Sequence, residues 1–455
     1  MELVTALAKL MGQVLVDTFT SPFFVALFGM MVLLVFWQNY RQYKQSLHFF
    51  PDLPNVTFKS AGYSSLLGML GGIAGSVLLV MLGINLDNIS ITALWITALL
   101  LMLIQPRFIC FAYAAGVIAV ANLLFGFPRA SIPQLMGLVA VLHMIESLLI
   151  LLNGSYHPSA VYIKRHERFC GGFNMQFFWP IPLLALISAS HPGAAAAGLT
   201  MPTWWPLLQD YSGLTASREV FTIVPAMAVL GYGEICTTRT PRQASRRSAL
   251  RLFIYALLLL TMAVLSSRIP AFLVLVALFS PLGHELVIWL GMRDESRPPF
   301  YVAPERGVMI MEVVGDSARR AGLQPGDVIL QIDGEEINSV EDLRDLLAGT
   351  RRRLNLCITR SGRTLNLIWP SNPTKGRFFC WISTNPTSPT RGRFSRISGL
   401  NLRKSRSDRS LNPSGYNRAQ EIIPVPGPET NAYLVWQEDK YFNMARRAWK
   451  KLKSM

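Results

Sequence analysis

Over its first 290 residues the chain alternates long apolar runs with short polar interruptions. The runs cover residues 21–38, 62–83, 88–104, 107–125, 133–152, 177–196, 219–236, 249–265 and 269–290. A helix that crosses hydrocarbon needs roughly 20 apolar residues, so the pattern predicts eight or nine transmembrane helices. The opening MELVTALAKLMGQVLVDTF carries a weaker signal and suits the interface. Within the second run, GMLGGIAGS (residues 68–76) supplies small side chains that let neighbouring helices approach closely.

From Pro304 the period changes from helical to alternating. RGVMIMEV reads as a strand. In GDSARRAGLQPGDVILQIDGEEI, Ser317 can cap a one-turn helix that Gly322 ends in the left-handed conformation. Pro325-Gly326 suits the centre of a tight turn, and Asp333-Gly334 suits a hairpin. SVEDLRDLLAG opens with a capping box, Ser339 to Asp342, and repeats Leu343, Leu346 and Leu347 at helical spacing. LNLCITRSGRTLNLIW closes the region as a hairpin that alternates Leu354, Leu356 and Ile358 with Leu365, Leu367 and Trp369.

A chain that is 51% hydrophobic and 15% charged is too apolar for an ordinary soluble enzyme of 455 residues. Five scattered cysteines (Cys110, Cys170, Cys236, Cys357, Cys380) form no CxxC pair, which predicts a reduced chain without disulfides. The N-terminus lacks a basic n-region, so no cleavable signal peptide is expected. Basic residues alternate between loops. Twelve Lys and Arg, including Arg41, Lys164 and Arg239, fall on one set, against four (Lys9, Arg129, Arg218, Arg268) on the other. The positive-inside rule then places everything after residue 291 in the cytoplasm.

Candidate chemistry is sparse. PLGHELVIWLG begins like a zinc-protease HExxH, but Ile288 stands where the second ligand should be. GYSS (62–65) and NGS (153–155) are poor serine-protease motifs. No catalytic residue, resident metal or cofactor is therefore expected. His143 and Glu146 lie three apart on one helical face, and His284, Glu285, His191 and Glu234 are further polar groups in apolar surroundings. They either join helices by hydrogen bonds or serve a transporter or metal-handling protein.

The stretch SARRAGLQPGDVILQIDGEEI followed by SVEDLRDLL resembles a bacterial-type PDZ domain. The resemblance implies a module that takes an extended peptide, commonly a C-terminus, as an added strand. It would place a carboxylate-capturing loop at Arg306, Gly307, Val308 and Met309. Ile310, Leu343, Leu346 and Leu347 would stand with Val308 on the groove walls, unless they are core. The loop NGSYHPSAVYIKRHERFCGGFNMQFFWPIPLL (153–184) and SPLGHELVIWLG resemble the MinJ family of division-site membrane proteins. That resemblance implies a non-enzymatic scaffold enriched at septum and poles, joining a DivIVA-like coiled coil to a MinD-like ATPase. The alternative is an inactive PDZ regulator or substrate adaptor of a membrane protease.

The expected fold is thus an α-helical polytopic membrane bundle (1–292), a small α+β PDZ domain (304–370) and a basic tail. The tail carries sixteen Lys and Arg against five Asp and Glu, out of a chain net charge of +16. Its residues 371–432 read as disordered. In YFNMARRAWKKLKSM, Phe442, Ala445, Trp449 and Leu452 fall on one helical stripe. Arg446, Arg447, Lys450 and Lys451 flank that stripe, which predicts docking of 433–455 on anionic lipid rather than on nucleic acid.

Overall fold

The computed structural model describes residues 2–46, 54–165, 168–188, 205–208, 221–313, 316–339, 342–343, 346–347, 353–370, 422–424 and 435–436. They divide into two compact units, one reaching to Tyr301 and one starting at Val302.

The first unit is built from α1 (Glu2–Thr20), α2 (Pro22–Ser46), α3 (Pro54–Leu82), α4 (Ile91–Ile104), α5 (Phe111–Phe125) and α6 (Ile132–Asn153). Strands β1 (Ser159–Arg165), β2 (Arg168–Ser188) and β3 (Phe221–Cys236) follow, then α7 (Pro241–Ser266) and α8 (Phe272–Glu295). Five of these helices have the length and hydropathy to cross a membrane, and α4 and α5 are shorter apolar helices.

The runs at 177–196 and 219–236, expected as helices, are not helical where described. They belong to β2 and β3, which pair antiparallel from Phe173↔Cys236 to Ser188↔Phe221. Proline is the reason. Pro180 and Pro182 would each remove a hydrogen bond from a helix interior and clash with the preceding turn. On a strand the same residues are tolerated where one edge needs no donor. β1 pairs β2 only from Arg168 to Asn174, so beyond Asn174 that edge of β2 is free of β1. The inward positions Phe173, Met175, Phe177, Trp179, Ile181 and Leu183 are all buried at period two.

The glycine stripe works against this edge rather than against another helix alone. A Cβ on Gly68 would strike the Pro180 carbonyl, and one on Gly72 the Pro182 carbonyl. One turn on, Ser76 Oγ accepts the Leu184 amide at 2.8 Å and donates to the Gly72 carbonyl at 2.6 Å. Four helical residues rise about 6 Å and two strand residues about 6.6 Å. The 68/72/76 stripe therefore keeps step with 180/182/184. Gly71 turns the other way, toward Ile145 and Leu149 of α6, and Gly75 sits between Leu183 of β2 and Ile145.

At the end of α8, Asp294 accepts Arg239 at 2.8 Å and Arg251 at 2.6 Å. Glu295 accepts the backbone amide and hydroxyl of Thr237 and the hydroxyl of Thr238. This buried network ties α8 to the β3–α7 connection and accounts for several of the basic loop residues.

The second unit comprises β4 (Val308–Val313), α9 (Asp316–Arg320), β5 (Val328–Ile332), β6 (Glu335–Glu336), β7 (Arg353–Arg360), β8 (Arg363–Pro370) and β9 (Ile422–Pro424). The sheet order is β8-β7-β5-β4-β9, with β6 beside β5. The turn chemistry agrees with the sequence. Gly322 and Gly326 have φ of +84° and +92°, and Asp333-Gly334 has +50° and +86°. Asp342 N donates to Ser339 Oγ at 3.0 Å while Ser339 N donates to Asp342 Oδ2 at 2.9 Å, a reciprocal capping box. Ser317 is not the cap of α9. It lies inside the turn, buried, and its Oγ accepts the Trp369 indole N–H at 2.7 Å.

Two short pieces of the tail are strands, where the sequence reads as irregular or helical. β9 joins β4, and β10 (Val435–Trp436) runs parallel to β1 in the first unit. The lipid-docking residues Arg446, Arg447, Trp449, Lys450 and Lys451 lie outside the described residues.

Candidate functional site

β4 is the strand beside which the sequence places a bound peptide, and its two edges are now defined. On one, Val308 and Met309 pair with Ile329 and Val328 of β5, and Ile310 exchanges backbone bonds of 2.8 Å with Asp327 and Gly326. On the other, Ile310, Glu312 and Val313 face Pro424, Ile423 and Ile422 of β9, antiparallel and with a register irregularity between Ile310 and Glu312. The edge expected to receive a peptide thus holds a short extended segment of the same chain. Pro424 cannot donate to a further strand, which blunts this new edge.

The site residues expected from sequence divide sharply. Val308, Ile310, Leu343 and Leu347 are buried in the domain core with Ala318, Ile329, Leu356 and Trp369. With β9 seated at the β4 edge they expose almost no surface. Leu346 is partly buried against that core, Met309 is half-buried and Arg306 is exposed. The stretch 306–309 is not an open loop, because Val308 and Met309 belong to the β4–β5 ladder. Gly307 is needed there: its φ is +83°, and a Cβ would collide with the Ile329 carbonyl.

What fixes β4 against β5 is Asp327, whose side chain is 1% exposed. Its carboxylate accepts Arg360 Nε at 2.6 Å, Arg360 Nη2 at 2.7 Å and the Gln324 amide at 2.8 Å, and Arg360 also donates to the Gly322 carbonyl at 2.6 Å. One bidentate pair closes the GLQPGD turn onto β7. The spacing between Asp327 and Arg360 gave no signal of it in the sequence. On β4 itself, burial pushes the Glu312 carboxyl above its ordinary range.

In the first unit the structure brings together two of the six singled-out polar residues. The rings of His143 and His284 lie 5.2 Å apart between centroids, with Cys110 Sγ 3.2 Å from His143 Nε2 and 3.6 Å from His284 Nε2. Cys110 went unnoticed in the sequence because thirty-three residues separate it from His143. Glu285 is engaged otherwise, accepting the Tyr113 hydroxyl at 2.7 Å and pairing with Arg107 at 3.0 Å. Glu234 accepts the hydroxyls of Tyr232 and Ser248, both at 2.6 Å. His191 lies outside the described residues.

Comparison with known proteins finds one family match in this chain, the PDZ domain, over residues 310–358. Among curated proteins, the mitochondrial serine protease HTRA2 of Drosophila yakuba is 36% identical over 94 residues, 20% of this chain and 22% of that protein. Its Drosophila persimilis counterpart is 38% identical over 94 residues, 20% of this chain and 21% of the relative. The chain therefore spans about a fifth of the length of these relatives, and the likeness lies in their PDZ region. Sheet, turns, capping box and family match converge on one conclusion: residues 310–358 are a PDZ domain.

Proposed function

We propose that this chain is a non-enzymatic membrane scaffold that recruits protein partners through its PDZ domain. The apolar helices anchor it, and partners with an extended segment take the place of β9 at the β4 edge. The observation that carries this reading is β9: a short, apolar, antiparallel segment from far along the chain already pairs at that edge. Main-chain pairing of this kind gives affinity without demanding one sequence, and the neighbouring side chains give selectivity. Arg306, Met309 and Leu346 are the sequence-predicted residues with surface left to contribute. Confinement to a membrane raises the local concentration of weakly bound partners without any new contact. The basic end of the chain adds attraction to anionic lipid.

The finer assignment, division-site selection with a DivIVA-like coiled coil and a MinD-like ATPase, follows from the MinJ resemblance of the membrane segment. A second reading, an inactive adaptor for proteolysis, is favoured by the HTRA2 match in the PDZ region. One experiment separates them. Affinity capture after crosslinking in membranes would compare the intact chain with one lacking 304–370. Division proteins recovered only by the intact chain support the first reading, and a protease or its substrates support the second. Identical captures refute both, because the PDZ domain would then recruit nothing.

A further inference from the structure

We propose that Cys110, His143 and His284 form a zinc site that clamps three helices of the first unit. The three side chains come from the residue preceding α5, the middle of α6 and the middle of α8. One ligand atom from each lies within 4.8 Å of the other two. In a tetrahedral zinc site with Zn–S of about 2.3 Å and Zn–N of about 2.05 Å, sulfur and nitrogen stand about 3.6 Å apart. The observed Sγ···Nε2 separations are 3.2 and 3.6 Å. Both sulfur–nitrogen separations are thus within a few tenths of an ångström of those in a zinc site.

Hydrogen bonding alone leaves the cluster poorly served. His143 Nδ1 lies 2.7 Å from the Val139 carbonyl. A carbonyl only accepts, so Nδ1 carries the proton and the Nε2 lone pair is turned on Cys110. An imidazole held this way by its far nitrogen is the usual arrangement of a metal-ligating histidine. His284 also aims Nε2 at the sulfur, while its Nδ1 is buried without a hydrogen-bond partner among the described residues. The thiol can donate to His143 Nε2 and accept weakly from a His284 Nε2–H, but that tautomer leaves the buried His284 Nδ1 lone pair unserved among the described residues. A cation coordinated by a thiolate and two Nε2 lone pairs engages all three residues at strengths no weak S–H contact reaches, with the displaced thiol proton leaving to solvent and the His284 Nδ1–H the one group still without a partner among the described residues.

The surroundings hold the ligands in place. Ser280 Oγ donates to the Ala112 carbonyl and Tyr255 donates to the Ser280 carbonyl, both at 2.8 Å. Gly116 makes room for Pro281, so α5 and α8 meet closely one turn from the cluster. Tyr113 and Tyr255 stand edge-on to His284 at 5.2 and 5.7 Å. Glu146, one turn along α6 from His143, has no hydrogen bond or ion pair among the described residues. Its carboxylate is not one of the three clustered ligand atoms, so the fourth position falls to water. Thiolate with imidazole selects zinc over magnesium or calcium, which take oxygen ligands.

The test uses the full chain in detergent or nanodiscs, stripped with chelator and titrated with Co²⁺. One equivalent should bind with visible bands of a tetrahedral ion and a near-ultraviolet thiolate-to-cobalt band, and Zn²⁺ should displace it. Cys110→Ser should abolish the thiolate band, and His143→Gln and His284→Gln should weaken binding at least tenfold. Cys170→Ser and Cys236→Ser should change neither. A folded wild-type chain that shows only octahedral cobalt, or a thiolate band that survives Cys110→Ser, overturns the site. The wild-type titration decides even if a variant misfolds. A PDZ domain that recruits nothing leaves this result untouched.

Discussion

Replacing Asp327 by Ala removes the one buried carboxylate that joins the GLQPGD turn to β7. Three hydrogen bonds go with it, two of them from a guanidinium. Breaking a buried ion pair costs about 3–5 kcal/mol. Arg360 is 29% exposed and can partly re-solvate, which argues for the lower end, about 3 kcal/mol. A domain of this size holds about 3–10 kcal/mol in total. The loss should therefore lower its Tm by about 12–24 °C. It should also loosen β4, since Ile310 binds the backbone of Asp327 and Gly326 directly. Urea unfolding of a soluble fragment, Val302–Ala432, measures it, and a double-mutant cycle with Arg360→Ala isolates the pair. A loss under about 1 kcal/mol with no coupling to Arg360 would refute the reasoning, because a buried, unpaired donor set should not be cheap.

Three further outcomes are expected. Gly72→Ala drives a methyl into the Pro182 carbonyl and should cost at least about 1–3 kcal/mol; thermal unfolding in detergent reads it, and Gly12→Ala, with open space around it, is the control. Burial raises the Glu312 carboxyl, so the folded state takes up its proton first, and stability should rise as pH falls through that raised value toward the unfolded one near about 4.3; Glu312→Gln should stabilise the domain at neutral pH and remove this dependence. The backbone hydrogen bond from Asn338 and then the Ser339 side chain depress the Asp342 carboxyl, so its capping contribution is present above about pH 3.9 and lost as pH falls through the lower folded value. Ser339→Ala should cost about 1 kcal/mol in the same urea assay.

The PDZ region was legible because its signals are local. Gly322, Gly326, Asp333-Gly334 and the Ser339–Asp342 box each act within four residues, and all adopt the geometry their chemistry demands. Period-two alternation likewise gave β7 and β8, with Leu354, Leu356, Ile358 and Trp369 inside. In the first unit, five helices followed from length and hydropathy alone. Hydropathy could not separate β2 and β3 from helices, since a buried strand and a buried helix are equally apolar. The prolines at 180 and 182 and the glycines at 231 and 233 carried that information, against the run length.

What only the tertiary structure decided depends on partners distant in the chain. The apolar period of β4 and of the Leu343–Leu347 stretch looks the same for a core and a groove, and packing assigned Val308, Ile310, Leu343 and Leu347 to the core. The glycine stripe announced a close approach but not its partner, the carbonyl edge of β2. Asp327 met Arg360, and β4 met Ile422–Pro424, across separations that no local pattern encodes. Cys110 became a neighbour of His143 and His284 only when α5, α6 and α8 packed. Turns, caps and periods are set by covalent geometry and short-range hydrogen bonds, so sequence determines them directly. Edges, grooves and ligand clusters form where separate elements meet, and the packing of the whole unit determines those.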